Sequence, residues 1–81
     1  MRTEQTPDTK PGPYYVTAID AGKVFPMAGP YTLHAEALAA VDQARSIASQ
    51  HDGRAWFASW GTCRLPEYTK PGRLNQLGLI A

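Results

Sequence analysis

One long periodic segment, LHAEALAAVDQARSIASQH from Leu33 to His51, constrains what the rest of this chain can build. At about 100° per residue, Leu38, His34, Val41, Ala48, Ala37, Ala44, Ala40 and Ile47 share one half of the helical circumference. Ser49, Asp42, Ser46, Gln50, Gln43 and Glu36 fill the other half, interrupted only by Ala39. Alanine is the strongest helix former, so propensity and pattern agree on an amphipathic helix with one apolar face. Thr32 is the expected N-cap, Glu36 suits the positive end of the dipole, and Asp52-Gly53 is the expected stop, with Gly53 left-handed. An alanine-rich face lies close to its partner, so the bulk of the core has to come from the other side. The aromatic residues before and after the helix are the expected source.

The chain has 81 residues, which is enough for one domain with a modest core. Small domains gain stability from disulfides, metals or self-association. The lone Cys63 excludes an internal disulfide, and no Cys/His cluster has zinc spacing, so self-association as a homodimer is the expected route. A formal net charge of +1 shows no bulk commitment to nucleic acid or to an anionic membrane. No signal peptide or long apolar run is evident, which predicts a cytoplasmic protein with no membrane segment.

Residues Met1 to Gly12 are polar and hold two prolines, which predicts a flexible arm. From Pro13 to Asp20, PYYVTAID is rich in aromatic and β-branched residues and reads as a strand. Tyr15, Thr17 and Ile19 then face one way, and Tyr14, Val16 and Ala18 the other. Ala21-Gly22 gives a tight turn, and Lys23 to Ala28 returns as the second strand of a hairpin. Pro26 cannot donate to a ladder, which places that strand at an edge. After the helix, Arg54 to Leu65 (RAWFASWGTCRL) reads as a third strand, with Trp56, Ala58 and Trp60 on one face and Gly61 marking a bulge. The tail beyond it carries Leu74, Leu77, Leu79 and Ile80, too many aliphatic side chains to hang in water, so it is expected to dock on this subunit or a neighbour. Arg73 to Leu77 is expected to make one helical turn.

The expected fold is therefore α+β. Residues 13–65 form a β-β-α-β domain, with a three-stranded antiparallel sheet and one helix packed on one face. Residues 1–12 are the arm and 66–81 a docked C-terminal extension. One helix covers one face of such a sheet, and the other face has to be solvated, covered by the tail or used for binding.

Two resemblances accompany this reading. Gly29-Pro30-Tyr31 followed by Ala35-Glu36-Ala37 resembles the glycine-proline-aromatic motif before the helix in half of a SPOR domain, which implies binding of peptidoglycan glycan. The segments YYVTAIDAGK, AGPYTLHAEALAAVDQAR, AWFASWGTCRLP and KPGRLNQLGL look like those of small uncharacterised proteins of phages and prophages of proteobacteria. That likeness implies a phage or prophage origin and a compact accessory protein, and a host protein is one candidate partner for it.

The residues offer little chemistry. His34 and His51 sit at opposite ends of the helix, about 25 Å apart at 1.5 Å per residue, too far to share a metal or a substrate atom. His34 is expected to pack and His51 to complement the dipole. Cys63 has no base nearby in sequence, the aspartates show no paired spacing, and Lys70-Pro71-Gly72-Arg73 lacks the strand and helix of a phosphate loop. The chain is expected to be no enzyme, with no cofactor and no metal. The informative surface is instead the third strand. Trp56 and Trp60 would share a sheet face with Tyr15 or Tyr14, flanked by Arg54, Arg64, Lys70 and Arg73. Aromatics with basic edges suit a protein interface or stacked single-stranded bases. The blander reading puts both tryptophans in the core beneath the helix alanines. Protein–protein interaction with self-association is the leading expectation, and weak nucleic-acid binding the alternative.

Overall fold

In a computed structural model, residues 10–80 are described, together with all but the side chains of Arg54 and Trp56 within that range. The expected arm falls largely on residues 1–9, outside the described part. The chain forms an α+β fold of strand β1 (Tyr14–Asp20), strand β2 (Lys23–Tyr31), helix α1 (His34–His51), a 3-10 helix (Gly53–Phe57), strand β3 (Ser59–Arg64) and helix α2 (Arg73–Gln76). The sheet order is β2-β1-β3, antiparallel throughout.

The hairpin turn places both Ala21 (φ 52°) and Gly22 (φ 78°) in the left-handed region, the twist that joins two strands through two residues. Strand β2 runs to Tyr31, beyond the expected end at Ala28. It does so by carrying two register shifts against β1, around Val16 and Thr17. The bulges lie there and not at Gly61, which pairs with Thr17 in an unbroken β1–β3 register. Because β2 continues, the N-cap of α1 is Leu33 rather than Thr32. The Thr32 carbonyl instead accepts the Gly12 N–H at 2.7 Å. Glu36 Oε1 takes the Leu33 N–H at 3.1 Å, half of a capping box. At the other end, the Asp52 N–H closes on the Ala48 carbonyl at 2.8 Å, and the chain passes directly into the 3-10 helix. Gly53 is not left-handed, contrary to the expected stop.

Helix α1 buries Ala37, Ala44 and Ala48 against the sheet face made by Tyr14, Val16 and Ala18. At its start, His34 stacks on Tyr14 with ring centroids 4.8 Å apart, and its Nε2 lies 2.8 Å from Thr62 Oγ1. That buried imidazole ties the helix to β1 and β3 together. The bulk opposite the alanines comes from Val16, Met27 and, from the far end of the chain, Leu74.

Leu74 arrives by a route the sequence does not announce. After β3 the tail first covers the sheet face opposite the helix. There Tyr68 meets Tyr15 edge-on at 5.1 Å, and the Tyr15 hydroxyl donates to the Lys70 carbonyl at 2.8 Å. The tail then crosses the outer edge of β2. The Gly72 N–H donates to the Gly29 carbonyl at 2.9 Å, and Asn75 Oδ1 accepts the Gly29 N–H at 3.0 Å. Past that edge, α2 drops Leu74 into the helix-side core. The extension is a strap around β2, docked on its own subunit.

Burial raises the Tyr15 pKa above its ordinary value, with the neighbouring Tyr68 adding to the rise. Burial does the same for Tyr31, helped by Glu36. An acid whose folded pKa is raised contributes stability that is present below its unfolded pKa and lost as pH climbs toward the folded one. Stability is therefore expected to hold through neutral pH and to fall above about pH 10. In Tyr15→Phe, urea denaturation is expected to show a loss of about 1 kcal/mol at neutral pH and a shallower alkaline decline. An unchanged alkaline slope would show that Tyr15 is not the group responsible.

Candidate binding site

The residues singled out from sequence do not form one surface. Trp60 pairs with Ala18, so it lies on the helix side of the sheet, whereas Tyr15 pairs with Cys63 on the opposite side. Tyr15 is 1% exposed, with its hydroxyl held by the strap, and is a structural residue. Arg54 and Trp56 belong to the 3-10 helix, not to β3, so the expected Trp56–Ala58–Trp60 stripe of one strand does not exist. The physical reason is visible in Ala55-Trp56-Phe57-Ala58, a run without polar alternation that satisfies a helical turn as readily as a strand. Arg64 is exposed at the end of β3, its Nε donating to the Pro11 carbonyl at 2.9 Å. Arg73 comes round on the strap. Of the four whose side chains are described, Trp60 and Arg73 meet in a common site.

That site is a cleft of about 250 Å³ between the end of α1 and the sheet. Its floor is Ala18, Phe25, Met27 and Trp60, its wall Ala55 and Ala58, and its rim Asp20, Asp52 and Arg73. The 3-10 helix builds it. The Ala55 N–H donates to the Asp52 carbonyl, and the Ala55 carbonyl accepts both the Ala58 N–H and, at 2.8 Å, the Trp60 indole N–H. The indole is thus locked against the wall with its polar atom satisfied, leaving carbon for the cleft.

The same end of the molecule carries most of the exposed large apolar side chains of the strands. Ile19 and Val24, cross-strand partners beside the hairpin turn, are 45% and 52% exposed on the strap side. Phe25 is partly exposed on the helix side. Phe57, on the 3-10 helix between the wall residues Ala55 and Ala58, is 88% exposed. Neither Phe25 nor Phe57 stands out as a binding residue from the sequence alone. Their prominence depends on the 3-10 turn and on where the strap stops, and neither leaves a periodic signal.

A second hollow, about 560 Å³, lies on the strap side between Val24, Pro26, Leu65, Pro66 and Tyr68, also lined mainly by carbon. Cys63 is exposed on that side, its thiol 3.7 Å from the Arg64 carbonyl. Among the described residues, no three His, Cys, Asp or Glu side chains converge as a metal site would need, and no helix is long and apolar enough to cross a membrane. Gly29-Pro30-Tyr31, the segment resembling a SPOR motif, ends β2 with both Gly29 backbone groups engaged by the strap. No protein-family model, curated protein or solved structure matches the chain.

Proposed function

We propose that this chain is a small non-enzymatic binding protein that recognises a protein partner through its hairpin end and self-associates as a homodimer. The observation that carries the reading is Phe57, a phenylalanine 88% exposed beside an open carbon-lined cleft. Burying such a side chain is worth about 1.5–3 kcal/mol, and isolated globular surfaces seldom leave that gain unused beside a concave apolar site. A partner suited to this end seats an apolar side chain over Trp60 and Phe25 and sets polar groups toward Asp20, Asp52 and Arg73. The resemblance to phage and prophage proteins supports a cytoplasmic accessory protein directed at a host protein.

Single-stranded nucleic acid is the competing reading, favoured by Trp60 and Arg73 sharing one cleft. It has little else behind it, since Tyr15 is buried on the other face and the formal net charge is +1. Tryptophan fluorescence titrated with single-stranded oligonucleotides at low salt separates the two. The protein-binding reading expects no saturable quenching. Saturable quenching that weakens steeply with added salt would transfer the cleft to nucleic acid.

A further inference from the structure

The two outer edges of the sheet are treated in opposite ways. On β2, Pro26 and Pro30 lack an N–H, and the strap takes both backbone groups of Gly29. That edge is closed to any further strand. Strand β3 has no proline and an unbroken register, and among the described residues no strand pairs with its outer side.

The backbone groups it offers follow from one hydrogen bond. The Leu65 N–H donates to the Pro13 carbonyl at 3.0 Å, which makes Pro13–Leu65 a hydrogen-bonded pair of the β1–β3 ladder. Antiparallel pairs alternate between bonded and non-bonded. Continuing along the register, Tyr15–Cys63, Thr17–Gly61 and Ile19–Ser59 are bonded. The N–H and C=O groups of Trp60, Thr62 and Arg64 therefore point outward.

We propose that a second copy of this chain occupies that edge, with β3 pairing antiparallel to itself about a twofold axis at Thr62. This deepens the self-association in the proposed function and rests on it. Thr62 then faces Thr62 of the partner subunit, and Trp60 faces Arg64 of the partner subunit, each pair exchanging both N–H···O bonds. A shift of the axis by one residue to Gly61 or Cys63 leaves an end residue of the outward set unpaired, so Thr62 is the register that uses all of them. It is also self-complementary, as a twofold interface has to be. Aromatic and guanidinium groups come side by side on the helix side of the sheet, an attractive pairing, while like charges stay apart. On the strap side Gly61 faces Cys63 of the partner subunit, where a side chain added at Gly61 meets nothing within 4 Å in its own subunit. Two three-stranded sheets become one continuous sheet.

The register supplies its own probe. Gly61 and Cys63 of the partner subunit form a non-bonded pair with Cα atoms about 4.5 Å apart, inside the disulfide range of about 4.4–6.8 Å. Gly61→Cys, with Cys63 retained and oxidised glutathione present, is expected to move on a non-reducing gel from 8.8 kDa to twice that mass. Wild type, with Cys63 alone, and the Gly61→Cys/Cys63→Ser double variant place their thiols on the diagonal, about 7–8 Å apart, and are expected to remain monomeric on the gel. A disulfide within one chain would leave the mass unchanged. Equal crosslinking of all three proteins, or none by a folded Gly61→Cys, overturns the proposal. In the wild-type protein, amide exchange at Trp60, Thr62 and Arg64 is expected to slow as protein concentration rises. Exchange there that is independent of concentration overturns it equally. The crosslink and the exchange at Thr62 and Arg64 involve neither Phe57 nor the cleft, so failure of the edge leaves partner recognition at the hairpin end separately testable.

Discussion

Leu74→Ala is expected to lower the unfolding free energy by about 2–5 kcal/mol, the range for deleting a buried leucine side chain. Leu74 is 2% exposed and packs among Val16, Ala18, Met27, Ala28, Ala44 and Ala48. Four of those six neighbours are alanines, held by the sheet ladder or the helix backbone, so they cannot swing inward to fill the space. A cavity left there stays open, which puts the cost toward the upper part of the range. For a domain of 81 residues, total stability on the order of 4–12 kcal/mol makes this a loss of a third or more. Urea denaturation measures it directly. Leu77→Ala, at an exposed position on the same tail, is the control and is expected within about 0.5 kcal/mol of wild type. If the two variants behaved alike, the tail would not be part of the core.

Gly72→Ala tests the strap where it crosses the edge. A Cβ at Gly72 would lie 2.5 Å from both the Cα and the N of Ala28, which are backbone atoms with no rotamer to yield. The strap has to lift, weakening the Gly72 N–H to Gly29 bond and the Asn75 bond to the Gly29 N–H. We expect a loss of about 2–3 kcal/mol, the upper part of the overpacking range. Trypsin should also cut faster after Arg73, because the bond to Leu74 is presented only when the strap leaves the core. Gly53→Ala is the matching control, since an added Cβ there meets nothing within 4 Å. Wild-type stability and cleavage rate in Gly72→Ala would mean that the crossing is looser than described.

These two substitutions mark the limit of what the sequence discloses. The helix is legible because its alanines satisfy propensity and period together, and the buried Ala37, Ala44 and Ala48 lie on the face the period picks out. The hairpin is legible from Ala21-Gly22 between two apolar runs. The strap is not, because Gly72 matters through its closeness to Ala28, a residue far away in the chain. Local patterns carry no information about such an approach. The candidate site fails in the same way. Alternation along β1 correctly separates Tyr15 from Tyr14, but the side of the sheet that Trp60 joins depends on the register between β1 and β3. The third strand begins at Ser59 because residues 53–57 wind into a 3-10 helix, which keeps Phe57 off the sheet and sets it out in water. The feature that carries the functional reading was thus hidden by a short helix that imitates a strand in sequence.

The role proposed for the hairpin end can be measured separately from stability. Phe57 is so exposed that Phe57→Ser should change stability by no more than about 0.5 kcal/mol. Losing its burial in a complex removes about 1.5–3 kcal/mol of binding, a fall in affinity of about tenfold or more. Immobilised wild-type and Phe57→Ser chains, presented with the same bacterial lysate and compared quantitatively, test the central claim most directly. Wild type is expected to retain polypeptides that an equally stable Phe57→Ser loses. Equal retention by both proteins, or no specific retention by wild type, would contradict it.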